Sequence, residues 1–305
     1  MEFNNSNYPL ILLVLNTRSG NSTMDYRVEI KNWAQGKAFR ISFFEISSNC
    51  LPEQIRVEAI GLAAHRVVAI GGDGTIKLVA EALLGTKIPI GIIPAGSANG
   101  LAKELNIPTD VKAAMDVVVS GLTRKIHTVR VNGELCIHLS DIGLNAFMVK
   151  RFNSLEHRGM WAYIKAAWQV FGSRYRMRVQ IQMNEKKINL RAFMIVIANG
   201  TRYGTGAIIN PIGTLDDRLF EIVVIKKISL WEVFKTLISL KPYNPKMTAV
   251  YQTNSVEILS NRAAHFQVDG EYIGKVTSIQ ADLIADDLEV MVPDLEESVL
   301  NINKK

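Results

Sequence analysis

The sequence predicts a doubly wound α/β domain followed by an antiparallel β-sandwich domain. Between residues 10 and 120, short apolar runs alternate with segments in which apolar residues recur at helical spacing. This alternation is typical of βα units around a largely parallel sheet. From about Val129, short strand-like segments follow one another, separated by Gly, Asn and Asp at hairpin-like intervals. We therefore expect an α/β domain over residues 1–127 and a sandwich over 128–292, and the tail 293–305 could pack back on the first domain.

The elements of the first half follow from these two periodicities. Each expected strand is a run of aliphatic and β-branched residues, and each expected helix repeats apolar residues every three or four positions. In chain order they are strand Leu10–Leu15, helix Met24–Gln35, strand Phe39–Ile46, helix Pro52–Ala64, strand Val67–Ile70, a helix ending near Leu84, strand Ile88–Ile93 and helical stretches up to Ser120.

The second half is predicted as short strands with two helical insertions. The insertions cover Met160–Phe171 and Leu230–Leu240, where apolar residues return to helical spacing. The expected strands are Val129–Leu135 (with a turn), Met177–Met183, Leu190–Ala198, Leu219–Ile225, Ser255–Leu259, Ala264–Val268, Thr277–Leu283 and Leu288–Val292.

Composition narrows the class of protein and its partners. The chain has 305 residues, two cysteines and a net charge of +6. No apolar run approaches the roughly 18 residues of a membrane span, and the polar start before Leu10 does not resemble a signal peptide. A cytoplasmic protein is expected. The positive charge favours an anionic partner, but no zinc-finger spacing, basic helix or RNA-binding aromatic signature is present, so nucleic acid is not expected.

The most informative motif is a glycine turn, Gly71, Gly72, Asp73, Gly74 and Thr75, between an apolar strand and a helix. Glycines allow the backbone to approach a ligand, and the following helix N-terminus favours an anion such as phosphate. The carboxylate of Asp73 suits a divalent cation carried on phosphates. A nucleotide with magnesium is the expected ligand, and a purely structural tight turn is the alternative.

Two further loops have the same context of a strand followed by small and polar residues. One follows the strand that ends at Ile93, and the other follows Leu15. Ligands of doubly wound sheets lie beyond the carboxyl ends of strands, so these loops can line one crevice with the glycine turn. Their candidate nucleotide-binding residues are Asn16, Ser19, Gly20, Gly96, Ser97 and Asn99.

These three loops together resemble the diacylglycerol kinase catalytic domain family, which includes bacterial lipid kinases, sphingosine kinases and ceramide kinases. Their order and spacing match, and the likeness extends over almost the whole chain. The motifs that carry it are Asn16–Gly20, Gly71–Thr75, Pro94–Asn99, Ala198–Gly200, Leu215–Phe220 and Val268–Glu271.

The resemblance implies an ATP-dependent lipid kinase with its active site in the cleft between the two domains. The γ-phosphoryl group of ATP would pass to a hydroxyl of diacylglycerol or a related long-chain lipid. Asp73 and its glycines would hold the phosphates and Mg²⁺, and Ser48 and Ser97 would contact the nucleotide. Glu271 matches the family's proposed general base. Structural Mg²⁺ would bind the side chain of Asp217 and the carbonyls of Thr214 and Leu219.

The sequence departs from the family's pattern at several positions. Gly100 and His127 stand where bacterial members usually carry aspartate, and Lys77 stands where asparagine is common. Asp141 is a candidate replacement for the missing acidic groups. Asp269-Gly270 is also a strong hairpin signal, so Asp269 could simply shape a turn.

Other functions stay open beside the lipid kinase. NAD kinases share the Gly-Gly-Asp-Gly turn, although the Pro94–Asn99 loop favours the lipid kinases. A regulator that binds nucleotide or lipid without catalysis is the second alternative. Trp161 and Trp168 lie on one face of the expected helix Met160–Phe171, near several arginines. Such a stripe is usually core, but we expect that it could contact a membrane surface. A homodimer also stays open.

Overall fold

The computed structural model describes residues 8–17, 24–153, 176–202, 208–229, 232, 243–285 and 287–294. The chain divides into two compact units, one formed by Met1–Ile126 with Asp286–Lys305 and the other by His127–Ala285. Ser19 and Gly20 lie outside the described residues, as do the expected helix Met160–Phe171 and, apart from Glu232, the expected helix Leu230–Leu240.

The first unit contains a six-stranded sheet within the described ranges. Its strands are β1 (Leu10–Leu15), β2 (Arg40–Glu45), β3 (Arg66–Gly71), β4 (Ile90–Pro94), β5 (Leu122–Ile126) and β16 (Leu288–Val292). Their spatial order is β2-β1-β3-β4-β16-β5, and β1 to β4 are parallel. All six residues of β1 are buried, as is typical of a central parallel strand covered on both faces.

The described residues of this unit form five helices, three of which begin with a capping side chain or a proline. They are α1 (Tyr26–Ala34), α2 (Pro52–Gly61), α3 (Asp73–Leu83), α4 (Gly100–Glu104) and α5 (Val111–Ser120). The carboxylates of Asp25 and Asp110 cap α1 and α5, and Pro52 occupies the first turn of α2. Helix α3 begins at Asp73 itself, so the glycine turn is short and Gly72 is the N-cap.

One strand lies in a different sheet from the one expected. Leu288–Val292 was expected in the sandwich, but it pairs with β4 in parallel and with β5 in antiparallel fashion. Leu288, Val290 and Met291 are buried in the first unit. A pattern of alternating apolar residues identifies a strand but not the strand with which it pairs in a sheet. Pairing depends on contacts between residues that are distant in sequence.

In the second unit, ten strands of the described residues form one antiparallel sheet that folds around a shared apolar core. They are β6 (Val129–Val131), β7 (Glu134–Cys136), β8 (Leu139–Gly143), β9 (Met177–Met183), β10 (Lys186–Ala192), β11 (Met194–Ala198), β12 (Phe220–Ile225), β13 (Thr248–Thr253), β14 (Ser255–Val268) and β15 (Glu271–Leu283). Two of the expected strands merge into β14, which pairs with β9 near Ile258 and with β8 near Phe266. A register shift between Leu259 and Ala264 separates these two pairings, and such bulges bend a strand.

A sixth helix, α6 (Leu144–Asn153), follows β8 and was not expected from the sequence. It packs against β14 and β8. Among the residues that the structure describes, no helix combines the length and apolar character that crossing a bilayer requires.

Candidate functional site

The loops after β1 and β3 are joined at the carboxyl edge of the first sheet. The backbone N–H of Asn16 donates to the carbonyl of Ile70 at 3.1 Å, and its side-chain Nδ2 donates to Thr75 Oγ1 at 3.1 Å. In the order β2-β1-β3-β4, the chain leaves β1 toward one side and β3 toward the other. This is the topological switch point at which open α/β sheets bind ligands.

The loops after β3 and β4 also lie in direct contact. The N–H of Ala95 donates to the carbonyl of Gly71 at 2.8 Å. A Cβ atom added to Gly96 would lie 2.4 Å from Gly72 Cα, closer than real Cβ contacts come. Glycine at position 96 is therefore required by the close approach of two backbones.

Asp73 and Asn99 connect and close these loops. Asp73 is half-buried in the first turn of α3, and its Oδ1 accepts the N–H of Leu101 at 3.3 Å. Asn99 has a left-handed backbone with φ of 50°, and its amide exchanges two hydrogen bonds with the backbone of Gly96. Both side chains therefore have a structural role in this loop cluster.

The structure thus places the described nucleotide-site candidates at one sheet edge. Gly74 and Ser97 are exposed in these loops, and Ser48 is exposed three residues after β2 ends. Lys77 is only 7% exposed, one helical turn after Asp73. The candidates in mutual contact are Asn16, Gly71, Gly72, Thr75, Gly96 and Asn99. Asp73 contacts the backbone of Leu101 in the same loops.

In the second unit, Glu271 begins β15 immediately after a two-residue hairpin turn. Asp269 and Gly270 have φ of 48° and 87°, and Val268 pairs with Glu271. Left-handed geometry at both central residues is the preferred turn for two-residue hairpins. The side chain of Glu271 is exposed.

Asp269 anchors this turn to the segment between β7 and β8. Its carboxyl group accepts the backbone N–H groups of Ile137 and His138 at 2.9 Å and of Leu139 at 3.0 Å. Burial raises the pKa of the Asp269 carboxyl, and the three N–H donors oppose that rise. The expectation that Asp269 shapes the turn agrees with this geometry.

Asp141 does not offer a carboxylate for metal, contrary to the role suggested above. It is fully buried, and its carboxyl group accepts from Asn145 Nδ2 at 2.6 Å, Ala146 N at 2.9 Å and Gln267 Nε2. A carboxylate surrounded by internal donors is satisfied within the unit. The sequence did not indicate this burial, because no strand was expected at residues 139–143, where the structure has β8.

The candidate magnesium ligands Thr214, Asp217 and Leu219 lie in one segment of the second unit. Thr214 and Asp217 are exposed, and Leu219 N donates to Asp217 Oδ1 at 3.0 Å. One carboxylate and backbone carbonyls are the oxygen donors that Mg²⁺ accepts, so the residue types fit the ion. No group of three or more His, Cys, Asp or Glu suited to a metal occurs among the described residues. A cation here would therefore depend on Asp217 and carbonyl oxygens.

His127 is hydrogen-bonded to the backbone of the segment that contains Thr214, Asp217 and Leu219. It is 1% exposed, its N–H donates to the Leu215 carbonyl at 2.8 Å, and its Nδ1 accepts the N–H of Arg218 at 3.2 Å. The imidazole thus supports the backbone beside Asp217. The sequence showed that histidine stands at position 127 in place of the usual aspartate, but it did not indicate that this histidine would bond to the backbone of Arg218.

Sequence reasoning missed a buried carboxylate near this segment. Glu221 is fully buried on β12, and it accepts hydrogen bonds from Asn210 Nδ2 at 2.5 Å and Gln252 Nε2 at 3.0 Å. Burial raises the pKa of Glu221, the two amides oppose the rise, and Asp217 adds to it. The available signal was a glutamate inside the apolar run Phe220–Ile225.

The two units together define the fold shared by diacylglycerol kinases and NAD kinases. The model for the diacylglycerol kinase catalytic domain matches residues 10–131, and that for the YegS C-terminal NAD kinase beta sandwich-like domain matches residues 140–292. The chain belongs to the diacylglycerol kinase catalytic domain family. The predicted fold class and the family resemblance are both confirmed.

Curated relatives are distant in sequence. A diacylglycerol kinase of Bacillus subtilis is 26% identical over 218 residues, which is 68% of this chain and 71% of that protein. An uncharacterized protein of Synechocystis is 27% identical over 256 residues, or 79% of this chain, and the match spans 58% of that protein's length.

Solved structures agree on the fold. A crystal structure of a diacylglycerol kinase described as putative, from Bacillus anthracis, has a TM-score of 0.73 at 19% identity and covers 94% of this chain and 97% of that one. An NAD kinase from Archaeoglobus fulgidus, solved with ATP, has a TM-score of 0.56 at 12% identity, with 96% and 97% covered. At these identities the likeness defines the fold alone.

Proposed function

We propose that this chain is an ATP-dependent lipid kinase that transfers the γ-phosphoryl group to a hydroxyl of diacylglycerol or a related long-chain lipid. The observation that carries the proposal is the joined loop cluster at the switch point of the first sheet, in a chain of the diacylglycerol kinase family. If diacylglycerol is the acceptor, the reaction belongs to phospholipid biosynthesis.

The loop cluster supports the nucleotide part of this proposal. Gly72 and Gly96 bring two backbones together without side chains between them, and glycines allow phosphate oxygens to approach a backbone closely. Asn16 and Ser97 are proposed to supply side-chain hydrogen bonds, and Asp73 to face the phosphates with Mg²⁺. Bound Mg²⁺ would neutralise charge that develops on the transferred group.

Glu271 is proposed as the general base. In the reaction the lipid oxygen forms a bond to the γ-phosphorus, the bond from that phosphorus to the β–γ bridging oxygen breaks, and ADP leaves. The hydroxyl proton passes to the Glu271 carboxylate. An exposed carboxylate on a rigid hairpin turn suits this task, because a base must be held close to the proton that it accepts.

Replacement of Glu271 by Gln tests the base. We expect ATP affinity to be unchanged and kcat to fall by about 10²–10⁴-fold, the usual contribution of general base catalysis. The matched control is Glu257→Gln, which changes another exposed glutamate of the same unit on β14 and should leave turnover unaltered. Near-normal turnover of the Glu271 variant would remove this residue from the role.

The acceptor is tested with purified protein, Mg²⁺, radiolabelled ATP and a panel of diacylglycerols, monoacylglycerols, sphingoid bases and NAD. Label on one of the lipids is the expected result. Label on NAD instead would favour the soluble-substrate alternative, to which the NAD kinase-like fold gives some weight. Tight nucleotide binding without transfer to any compound would favour the regulator.

A lipid acceptor also implies contact with a membrane surface. The positive net charge of +6 suits an anionic bilayer, so we propose a cytoplasmic protein that binds membranes peripherally. Flotation of the protein with anionic, but not with neutral, liposomes is the expected outcome. Equal failure to float with both would contradict this part of the proposal.

A further inference from the structure

A buried chain of hydrogen bonds connects helix α6 to the hairpin turn that precedes Glu271. Its two central side chains are Asp141, with no exposed surface, and Gln267, which is 2% exposed. Asp141 lies on β8 and Gln267 opposite it on β14. Burial of a carboxylate is costly, so the arrangement of its partners needs a physical explanation.

The hydrogen-bond pattern fixes the orientation of the Gln267 amide. Nε2 of Gln267 donates to the Asp141 carboxylate, and Oε1 accepts the backbone N–H of Gly270 at 2.7 Å. A flipped amide would place an oxygen against a carboxylate and an NH₂ group against an N–H donor. Asp141 therefore determines which end of Gln267 faces the turn.

The Asp141 carboxylate is itself held by α6. Its two oxygens accept from the side chain of Asn145 and the backbone of Ala146, both in the first turn of that helix. The backbone carbonyl of Gln267 accepts in addition from Ser140 Oγ at 2.7 Å. Asp141 is thus held by a helix, and the backbone of Gln267 is held by strand β8.

The turn is consequently held from two sides. The Asp269 carboxyl group attaches it to residues 137–139, and the Gly270 N–H attaches it to Gln267. Glu271 is the next residue, so a shift of the Gly270 peptide would move its Cα and carboxylate with it. A displacement of about 1 Å can cost on the order of 10²-fold in rate.

We infer that Gln267, oriented by Asp141, is a positioning residue for Glu271, which rests on the proposed function of Glu271 as the base. It acts through the turn and contacts neither nucleotide nor acceptor in this account. Its loss should lower kcat and leave the KM for ATP unchanged, because the candidate nucleotide loops belong to the other unit.

The decisive experiment exchanges the carboxyl group and the amide group between positions 141 and 267. Gln267→Glu alone places two carboxylates together, and Asp141→Asn alone replaces one acceptor oxygen by a donor. In the double variant the NH₂ group introduced at position 141 can donate to the carboxylate introduced at position 267, whose second oxygen can still accept from Gly270. Asn145 Nδ2 now donates to the same Asp141 oxygen as Gln267, so the Asn145 amide must turn over, after which its oxygen accepts the second N–H of the new amide. We expect each single variant to lose about 10–100-fold in kcat and the double variant to recover to within roughly threefold of wild type, with all KM values for ATP within about twofold.

The control is Ser255→Ala, which removes a side-chain bond of 2.6 Å to Asp282 at the far end of the same hairpin, β14 and β15. It should leave kcat unchanged. Folded single variants with wild-type kcat would overturn the inference. So would a double variant whose loss equals the product of the single losses, because that result shows no coupling.

A measurement on the wild-type chain covers the case in which single variants do not fold. The Gly270 amide should be protected from hydrogen exchange as strongly as amides in the middle of β14, since its acceptor is a buried side chain. Exchange at the rate of an exposed turn would overturn the inference. Hydrogen exchange can be measured whether or not the protein is a kinase. Absence of kinase activity would therefore refute the proposed function, whereas the exchange rate of the Gly270 amide would still test the hydrogen bond to Gln267.

Discussion

Replacement of Gly96 by alanine is the most direct perturbation of the candidate nucleotide site. The added methyl group would lie 2.4 Å from Gly72 Cα and 2.9 Å from Asn99 Oδ1, whereas ordinary contacts begin at 3.4 Å. The two loops would have to separate by about 1 Å, because the main obstacle is backbone and not a flexible side chain.

The expected magnitude follows from the cost of overpacking. Insertion of a methyl group into a packed contact costs about 1–3 kcal/mol. If that cost is relieved by separation of the loops, and ATP binding must restore their contact, affinity falls by about 5- to 140-fold. Calorimetric titration of the folded Gly96→Ala variant with Mg²⁺ and ATP measures this loss.

Gly61→Ala is the matched control. Gly61 ends α2 in the same unit, and nothing lies within 4 Å of an added Cβ. Alanine is about 0.5–1 kcal/mol better than glycine in a helix, so this variant should be at least as stable as wild type and bind ATP equally. If Gly96→Ala folds normally and binds ATP like Gly61→Ala, the contact of these loops is not what forms the nucleotide site.

Two further predictions concern carboxyl groups of the second unit, those of Asp269 and Glu221. Asp269→Ala removes the acceptor of three backbone N–H groups, so the free energy of unfolding in urea should fall by at least about 3 kcal/mol; Asp269→Asn keeps the Oδ1 acceptor and should lose less, and equal losses would contradict this account. Burial raises the pKa of the Glu221 carboxyl group above its ordinary value of 4.5. The folded state therefore binds the carboxyl proton more tightly than the unfolded state does, and this tighter binding stabilises the fold at low pH. The stabilisation declines as the pH rises above 4.5 through the folded-state pKa. Glu221→Gln lacks this contribution, so its free energy of unfolding relative to that of the wild type should increase as the pH rises above 4.5; a difference that stays constant with pH in urea titrations would count against the raised pKa.

The glycine and polar loops were predictable because their signal is local. Gly71–Thr75 and Pro94–Asn99 each stand between an apolar run and a helical pattern, and parallel strands bring their carboxyl ends to one edge. Asp269-Gly270 was likewise recognisable as a hairpin turn from two adjacent residues. These features require only the chain neighbours and the general geometry of sheets.

The chemistry of Asp141 was not predictable in the same way. The sequence suggested Asp141 only as a replacement for missing acidic groups, but its partners Asn145 and Gln267 come from a helix and from a strand 126 residues away. A carboxylate is exposed or buried according to the packing of distant segments. No local pattern indicates that Gln267 would turn its oxygen toward Gly270.

The α/β and antiparallel halves, the loops at the strand ends and the family were recognisable from sequence alone, because periodicity and glycine turns depend on residues close in the chain. Packing was needed to show that Leu288–Val292 completes the first sheet and that two glycines, Gly72 and Gly96, bring two loops into contact. Packing also showed that Asp141 is bonded through Gln267 to the turn at Gly270. Each of these depends on which distant surfaces meet, and the free energy of such contacts belongs to the packed chain and not to any single segment.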